Sequence, residues 1–236
     1  MSDQQLEEKV LRIWQTRRAR WLYAVLRVAI LLVGRIYLRT QVQGAEKLRL
    51  GGAFIVAPVH RSNLDAPLVN ACCPRIVRSL AKREMFPGGV GTWFSAMCGS
   101  FPIRRGVMDR RSLEAAMELL HGGEPLLIFP EGTRQTGKHV GKIFGGAGYL
   151  ALRAKVPIIP VGIAGTEQAM PAKAKLLRPG PVSIVVGEPL VPPEPVSERL
   201  SSELRADFTA VLRCAMQDVM ERAYVQASTR RGWRDL

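Results

Sequence analysis

After Gln43 the chain alternates short apolar runs, bounded by Gly or Pro, with longer helical stretches, and no other feature constrains its fold so tightly. "AFIVAP", "VRSLAK", "FPIRR", "PLLIFP", "PIIPVGI" and "VSIVVGE" read as buried strands. Between them "RRSLEAAMELLHGG" and "GAGYLALRAK" read as helices, the first closed by Gly122 and Gly123. Strands that alternate with helices imply parallel neighbours joined by crossovers, so the expected fold is α/β, a mixed and largely parallel sheet flanked by helices. The Pro-rich "GEPLVPPEPVS" reads as a surface connection. "SERLSSELRADFTAVLRCAMQDVMERAYVQ" reads as a long closing helix, with Leu200, Leu204, Phe208, Val211, Ala215 and Val219 on one stripe. The expected organisation is a helical segment over 1–42, an α/β domain over 43–227 and a basic, frayed tail over 228–236 in which Trp233 is available to a membrane.

The first segment differs in kind. It begins polar and amphipathic, then turns nearly apolar from Trp21 to Leu38, broken by Arg27 and Arg35. A cleaved signal peptide would put a short apolar core early and end at small residues, which this stretch does not do. A spanning helix is disfavoured, because the run only reaches the minimum span and a central arginine costs ~2.5 to 3.5 kcal/mol. Two descriptions remain. One is an in-plane anchor, with arginines snorkelling while Trp21, Leu22, Leu26, Ile30 and Leu31 sink into the acyl boundary, helped by Arg17, Arg18 and Arg20. The other is an ordinary amphipathic helix packed on its own domain. The first predicts a monotopic protein on the cytoplasmic face of a membrane.

The net charge of +14 points to an anionic partner: nucleic acid, an anionic lipid surface or a phosphorylated ligand. Nucleic acid fits poorly, since the basic residues are not interleaved with aromatics on strands and no helix-turn-helix or zinc pattern appears. Cys72, Cys73, Cys98 and Cys214 lie in apolar stretches without metal-ligand spacing, as expected of small core residues in a reducing compartment. A metal-dependent hydrolase built on His60, Asp65 and Glu131 is a weaker alternative, because His121 and His139 fall in Gly-flanked polar turns. No metal site and no cofactor are expected.

The chemistry gathers at the strand ends. In "FIVAPVHRSNLDAPL", His60 follows a strand and Asp65 opens the next helix, at the rim where open α/β sheets bind ligands. Along one continuous helix the two side chains would diverge by about 140°, so they meet only if the chain bends between them. An aspartate accepting from one imidazole nitrogen fixes the tautomer and leaves the other nitrogen to take a proton from a hydroxyl. Read alone, the hexapeptide also fits an aspartate complementing the helix dipole beside a solvated histidine. "IFPEGTRQTGK" adds Gly132, whose lack of a side chain lets amides approach an anion, and Arg134, whose planar fork matches a phosphate. Arg104 and Arg105 end another strand on the same rim, completing a cradle for a phosphate monoester.

At these residues the chain resembles the glycerolipid acyltransferases of the 1-acylglycerol-3-phosphate O-acyltransferase (PlsC-like) type. "HRSNLD" matches the HxxxxD block, "GSFPIRR" the second block with its phosphate-binding arginine at Arg105, "FPEGTR" the third and "VPIIPV" the fourth, within roughly residues 43 to 190. One departure stands out: the family's phenylalanine-lysine-x-glycine run is replaced by "GKIFGGAG", which displaces Lys142. The resemblance implies transfer of a fatty acyl group from acyl-CoA or an acyl carrier protein to a glycerolipid hydroxyl, without an acyl-enzyme intermediate. Lysophosphatidic acid is the expected acceptor, with glycerol 3-phosphate or a larger lysophospholipid as alternatives. His60 would be the general base oriented by Asp65. Arg105 and Arg134, with the Gly132 and Thr133 amides, would hold the acceptor phosphate, while Glu131 would orient an arginine. Met85, Phe86, Trp93 and Phe94 would line a groove for the acyl chain.

Overall fold

The computed structural model describes residues 3–82, 86–97, 99–103, 110–171, 174, 176–194 and 200–233. Among them, seven strands form one sheet: β1 (Gln41–Gln43), β2 (Ile55–Pro58), β3 (Arg78–Lys82), β4 (Ser100–Ile103), β5 (Leu126–Leu127), β6 (Ile158–Ala164) and β7 (Ser183–Val186). Their order is β1-β7-β6-β2-β5-β3-β4. The five strands from β6 to β4 run parallel, β7 is antiparallel to β6, and β1 is parallel to β7. All six strands read from the sequence are present. The seventh, β1, is three exposed residues long, too short for a hydrophobic period to mark it.

The helices are α1 (Asp3–Gln15), α2 (Arg17–Ile36), α3 (Asp65–Cys72), α4 (Gly89–Met97), α5 (Arg110–His121), α6 (Gly146–Ala154), the single turn α7 (Thr166–Ala169) and α8 (Ser202–Ser228). The stretch holding α4 reads from the sequence as a connection, because its Gly-rich opening hides the start. Thr92 supplies the cap instead, its hydroxyl accepting from Gly88 N at 2.9 Å. Ser201 caps α8 by accepting from Leu204 N at 3.1 Å.

The core is the inner sheet and what covers it. Every residue of β2, β6 and β7 is buried, as expected for strands covered on both faces. Each fully buried Ile or Leu contributes roughly 1.5 to 3 kcal/mol. Pro160 lies inside β6, where a missing N–H would ordinarily break a ladder. Its nitrogen faces the same side as Ile158 N, which donates to Leu190 O, and β7 has already ended there at Val186. The absent donor therefore falls in a gap in the pairing. Two positions along, a Cβ on Gly162 would stand 2.0 Å from Val219 O, so only glycine lets α8 lie this close to β6.

Along α8 the buried face is Phe208, Leu212, Met216, Val219, Met220, Ala223, Tyr224 and Ala227. This corrects the expected stripe, since Val211 is 51% exposed: the helix's 3.6-residue turn carries the inward line through Leu212. In the expected tail, Trp233 meets the Tyr224 ring edge-on at 5.7 Å, and residues 234–236 lie outside the described residues.

The N-terminal helices pack on the domain. Leu6 and Val10 of α1 join Phe86, Ala96 and Phe101 in a small core cluster, and Trp14 Nε1 donates to Ala96 O at 2.7 Å. On α2, Arg27 turns inward, its Nε donating to Ala71 O at 2.9 Å rather than reaching outward. Leu26 and Ile30 also face inward, whereas Trp21, Val25, Val28, Leu32 and Ile36 form an exposed apolar stripe at i, i+4, i+7, i+11 and i+15. The face presented outward is therefore rotated from the one expected, because Arg27 finds a carbonyl in the domain. Among the described residues, no helix is long and apolar enough to cross a membrane.

Candidate active site

Parallel pairing delivers the ends of β2, β5 and β6 to one edge of the sheet, and the residues that follow them meet there. The turn after β2 is shaped by Asp65. Its Oδ2 accepts from Ser62 N at 2.7 Å and from Arg61 N at 2.6 Å, while Ser62 Oγ accepts from Leu64 N at 3.3 Å. These bonds, made within S-x-x-D, fold the chain back on itself. The fold-back brings His60 Nδ1 to 3.0 Å from the same Oδ2. Since Oδ2 already accepts from two backbone N–H groups, the proton in that contact belongs to Nδ1. Nε2 is left without a hydrogen-bond partner among the described residues, on a ring whose side chain is 18% exposed. Asp65 thus orients the histidine and holds the turn, and none of its hydrogen bonds goes to the amides that open α3.

Three further residues complete the pair, and none is evident from the sequence. Thr166, just past β6, donates its hydroxyl to Asp65 Oδ1 at 2.6 Å, so both carboxylate oxygens are held. Phe129 stacks on the His60 ring at 3.8 Å between centroids. Arg61 is buried and donates from Nη1 to Glu131 Oε1 and Oε2 at 3.1 and 2.9 Å. Its remaining donors reach His60 O, Gly137 O and His139 O. In sequence Arg61 looks like a surface cation, because the partner that allows its burial lies 70 residues away.

Glu131 itself is 1% exposed, with Oε2 also accepting from His60 N at 2.8 Å and Oε1 from Gly141 N at 3.0 Å. The arginine that it holds is Arg61. The carboxylate fastens the HRSNLD turn to the PEGTR loop, with Gln135 N donating to His60 O as a second fastening. Gly132 has φ +69, and a Cβ there would stand 3.0 Å from the Phe144 ring. Its amide donates to Phe129 O at 3.0 Å, closing the turn. The Thr133 amide has no partner among the described residues, and Arg134 is exposed at the rim. Arg104 and Arg105, directly following β4, lie outside the described residues, as does Met85.

Beside Thr166, Glu167 accepts from Tyr224 Oη at 2.9 Å and from Gly165 N at 3.0 Å. Burial pushes its carboxyl above the ordinary range and pushes the Tyr224 phenol up as well.

Of the residues expected to line an acyl groove, Met85 and the side chain of Phe94 lie outside the described residues. Phe86 is buried in the cluster with Leu6 and Val10, and Trp93 is 39% exposed. A cavity of about 200 Å³ lies between α2 and α3, bounded by Leu26, Ile30, Ala66, Pro67 and Ala71 and reaching Asn63 of the HRSNLD turn. Among the described residues no cluster of three metal-ligating side chains occurs.

A family model described as Acyltransferase matches residues 39–164. The chain is 29% identical over 160 residues to the chloroplastic 1-acyl-sn-glycerol-3-phosphate acyltransferase BAT2 of Brassica napus, covering 65% of this chain and 46% of that one. It is 28% identical over 171 residues to the 1-acyl-sn-glycerol-3-phosphate acyltransferase of Bacillus subtilis, covering 70% and 83%. The matched stretch thus spans under half of the plant relative. The crystal structure of the 1-acyl-sn-glycerophosphate (LPA) acyltransferase, PlsC, from Thermotoga maritima superposes with a TM-score of 0.71 at 26% identity, over 97% of this chain and 90% of that one. With the matched region spanning more than half of the sequence and enclosing His60, Asp65 and Glu131, the chain belongs to the Acyltransferase family.

Proposed function

We propose that this protein transfers a fatty acyl group from a thioester donor to a hydroxyl of a phosphate-bearing glycerolipid, with lysophosphatidic acid as acceptor and phosphatidic acid as product. The single observation that carries the reading is the 3.0 Å contact of His60 with a fully buried Asp65, at a rim where Nε2 remains available. Nε2 takes the proton of the acceptor hydroxyl as its oxygen attacks the thioester carbonyl. The carbon–sulfur bond breaks, and the imidazolium returns the proton to the departing thiolate. Neither a cofactor nor an acyl-enzyme is required. Arg105, Arg134 and the Thr133 amide hold the acceptor phosphate and so place its hydroxyl against His60. Glu131 and Thr166 act as positioning residues. The cavity between α2 and α3 takes the acyl chain, which explains its apolar lining next to the HRSNLD turn.

The exposed stripe of Trp21, Val25, Val28, Leu32 and Ile36 supports seating residues 1–42 in the plane of an anionic membrane, on its cytoplasmic face, with residues 43–227 as the catalytic domain. Purified protein is incubated with labelled acyl thioester and a panel of acceptors. Labelled phosphatidic acid formed by the natural chain and lost in His60→Ala is expected. Equal turnover by His60→Ala refutes the assignment. Val28→Lys with Leu32→Lys should lower cosedimentation with anionic vesicles, and unchanged binding refutes the seat.

A further inference from the structure

Lys142, displaced from its expected place in the family pattern, lines an open groove of about 690 Å³ between residues 142–145 and α8, together with Ile143, Gly145, Arg205, Thr209 and Arg213. Arg205, Thr209 and Arg213 fall at i, i+4 and i+8, so they stand one above another on the groove side of α8. Asp207 points about 160° away from that line. Among the described residues, none lining the groove is acidic, and Lys142 and Arg213 have no ion pair. The space exists because Gly145, Ala206 and Ala210 put little side chain into it.

The groove is coupled to the proposed reaction centre through one carboxylate. Gly141 N and His60 N donate to the two oxygens of Glu131, so the wall that begins at Lys142 starts two hydrogen bonds from the His60 backbone. We infer that this groove binds the nucleotide end of a coenzyme A thioester, whose pyrophosphate and 3′-phosphate meet Lys142, Arg205 and Arg213 while its pantetheine arm runs past residues 131–134 to His60. The inference rests on the acyltransferase reading and names the donor. Guanidinium forks match phosphate oxygens bidentately, and three cations on two walls suit a small polyphosphate held in a concave site. An acyl carrier protein presents a single phosphate on its arm and a broad acidic surface, which would not require a groove.

The test separates donor binding from turnover. Free coenzyme A, without acyl group or acceptor, is titrated calorimetrically into the full chain and into Arg205→Glu with Arg213→Glu, both exposed positions whose change leaves the core intact. The double variant is expected to weaken coenzyme A by about tenfold or more, and to raise the acyl-CoA KM by a similar factor while the acceptor KM stays put. Coenzyme A lacking the 3′-phosphate should bind the natural chain more weakly than coenzyme A does, and the affinity gap between the two ligands should shrink in the variant. Ala210→Trp, which fills the groove without touching charge, should also weaken coenzyme A. Unchanged coenzyme A affinity in both variants, or turnover supported by acyl carrier protein alone, overturns the inference while leaving the acyltransferase reading intact. Groove-dependent coenzyme A binding with no acyl transfer would overturn that reading instead.

Discussion

Replacing Asp65 by Asn separates the charge of the carboxylate from its geometry. With the amide oxygen in the place of Oδ2, Asn still accepts from His60 Nδ1, Arg61 N and Ser62 N. Its NH2 group then faces Thr166, whose hydroxyl turns from donor to acceptor. The turn, the ring orientation and the tautomer survive. What disappears is a unit charge 3.0 Å from the imidazole. At an effective dielectric near 20 that charge is worth about 5.5 kcal/mol to a full imidazolium. With roughly half of the proton transferred in the transition state, about 2.7 kcal/mol is lost, or on the order of 10²-fold in kcat. Steady-state kinetics and a denaturant titration read the outcome. Turnover should fall on the order of 10²-fold, with the acceptor KM and the unfolding midpoint nearly unchanged. Asp65→Ala is the uninformative relative, since it strands four donors at about 1 to 3 kcal/mol each and disturbs the turn itself. Adding His60→Ala to Asp65→Asn should cost far less than the product of the single effects, because both disable one device. Near-normal turnover by a folded Asp65→Asn protein would refute the reasoning.

Arg61→Met leaves Glu131 buried without its cation and should cost about 3 to 5 kcal/mol, read by denaturant unfolding. Adding Glu131→Gln should restore part of it, and a neutral single change would show that the pair does not hold the loops together. Gly162→Ala puts a methyl against Val219 O and should destabilise by roughly 3 kcal/mol or more as α8 is pushed from β6. An unaltered Tm would contradict the close approach. Glu167 has its carboxyl raised above the ordinary 4.5 by burial, so its contribution to stability is present below that value and is lost as pH rises through the raised one. Unfolding free energies measured from acid to neutral pH should therefore fall for the natural chain relative to Glu167→Gln, and parallel curves would mean that Glu167 titrates normally.

Six strands, the helix opening at Asp65 and the rim location of His60 are legible in the sequence, because each rests on a local signal: an apolar run, or a turn that separates a strand from a helix. The same locality explains what was hidden. Strand β1 is too short to show a period, and α4 opens with glycines that imitate a loop. On α8 the expected stripe departs from the buried face only between Phe208 and Val219, because the sequence does not mark which step of the helix is three residues rather than four.

At the site, the sequence determined which residue types stand at the strand ends, and the fold-back that joins His60 to Asp65 is encoded within six residues. Everything that crosses between strands was decided by the sheet. Thr166 reaches Asp65 only because β6 lies beside β2, and Arg61 could be recognised as buried only once β5 brought Glu131 next to it. The same holds for Arg27, which a carbonyl of α3 turns inward, rotating the apolar face of α2 outward. Hydrogen bonds and ion pairs between residues distant in the chain leave no periodic trace in it, since the spacing that makes them partners is set by strand order rather than by sequence separation.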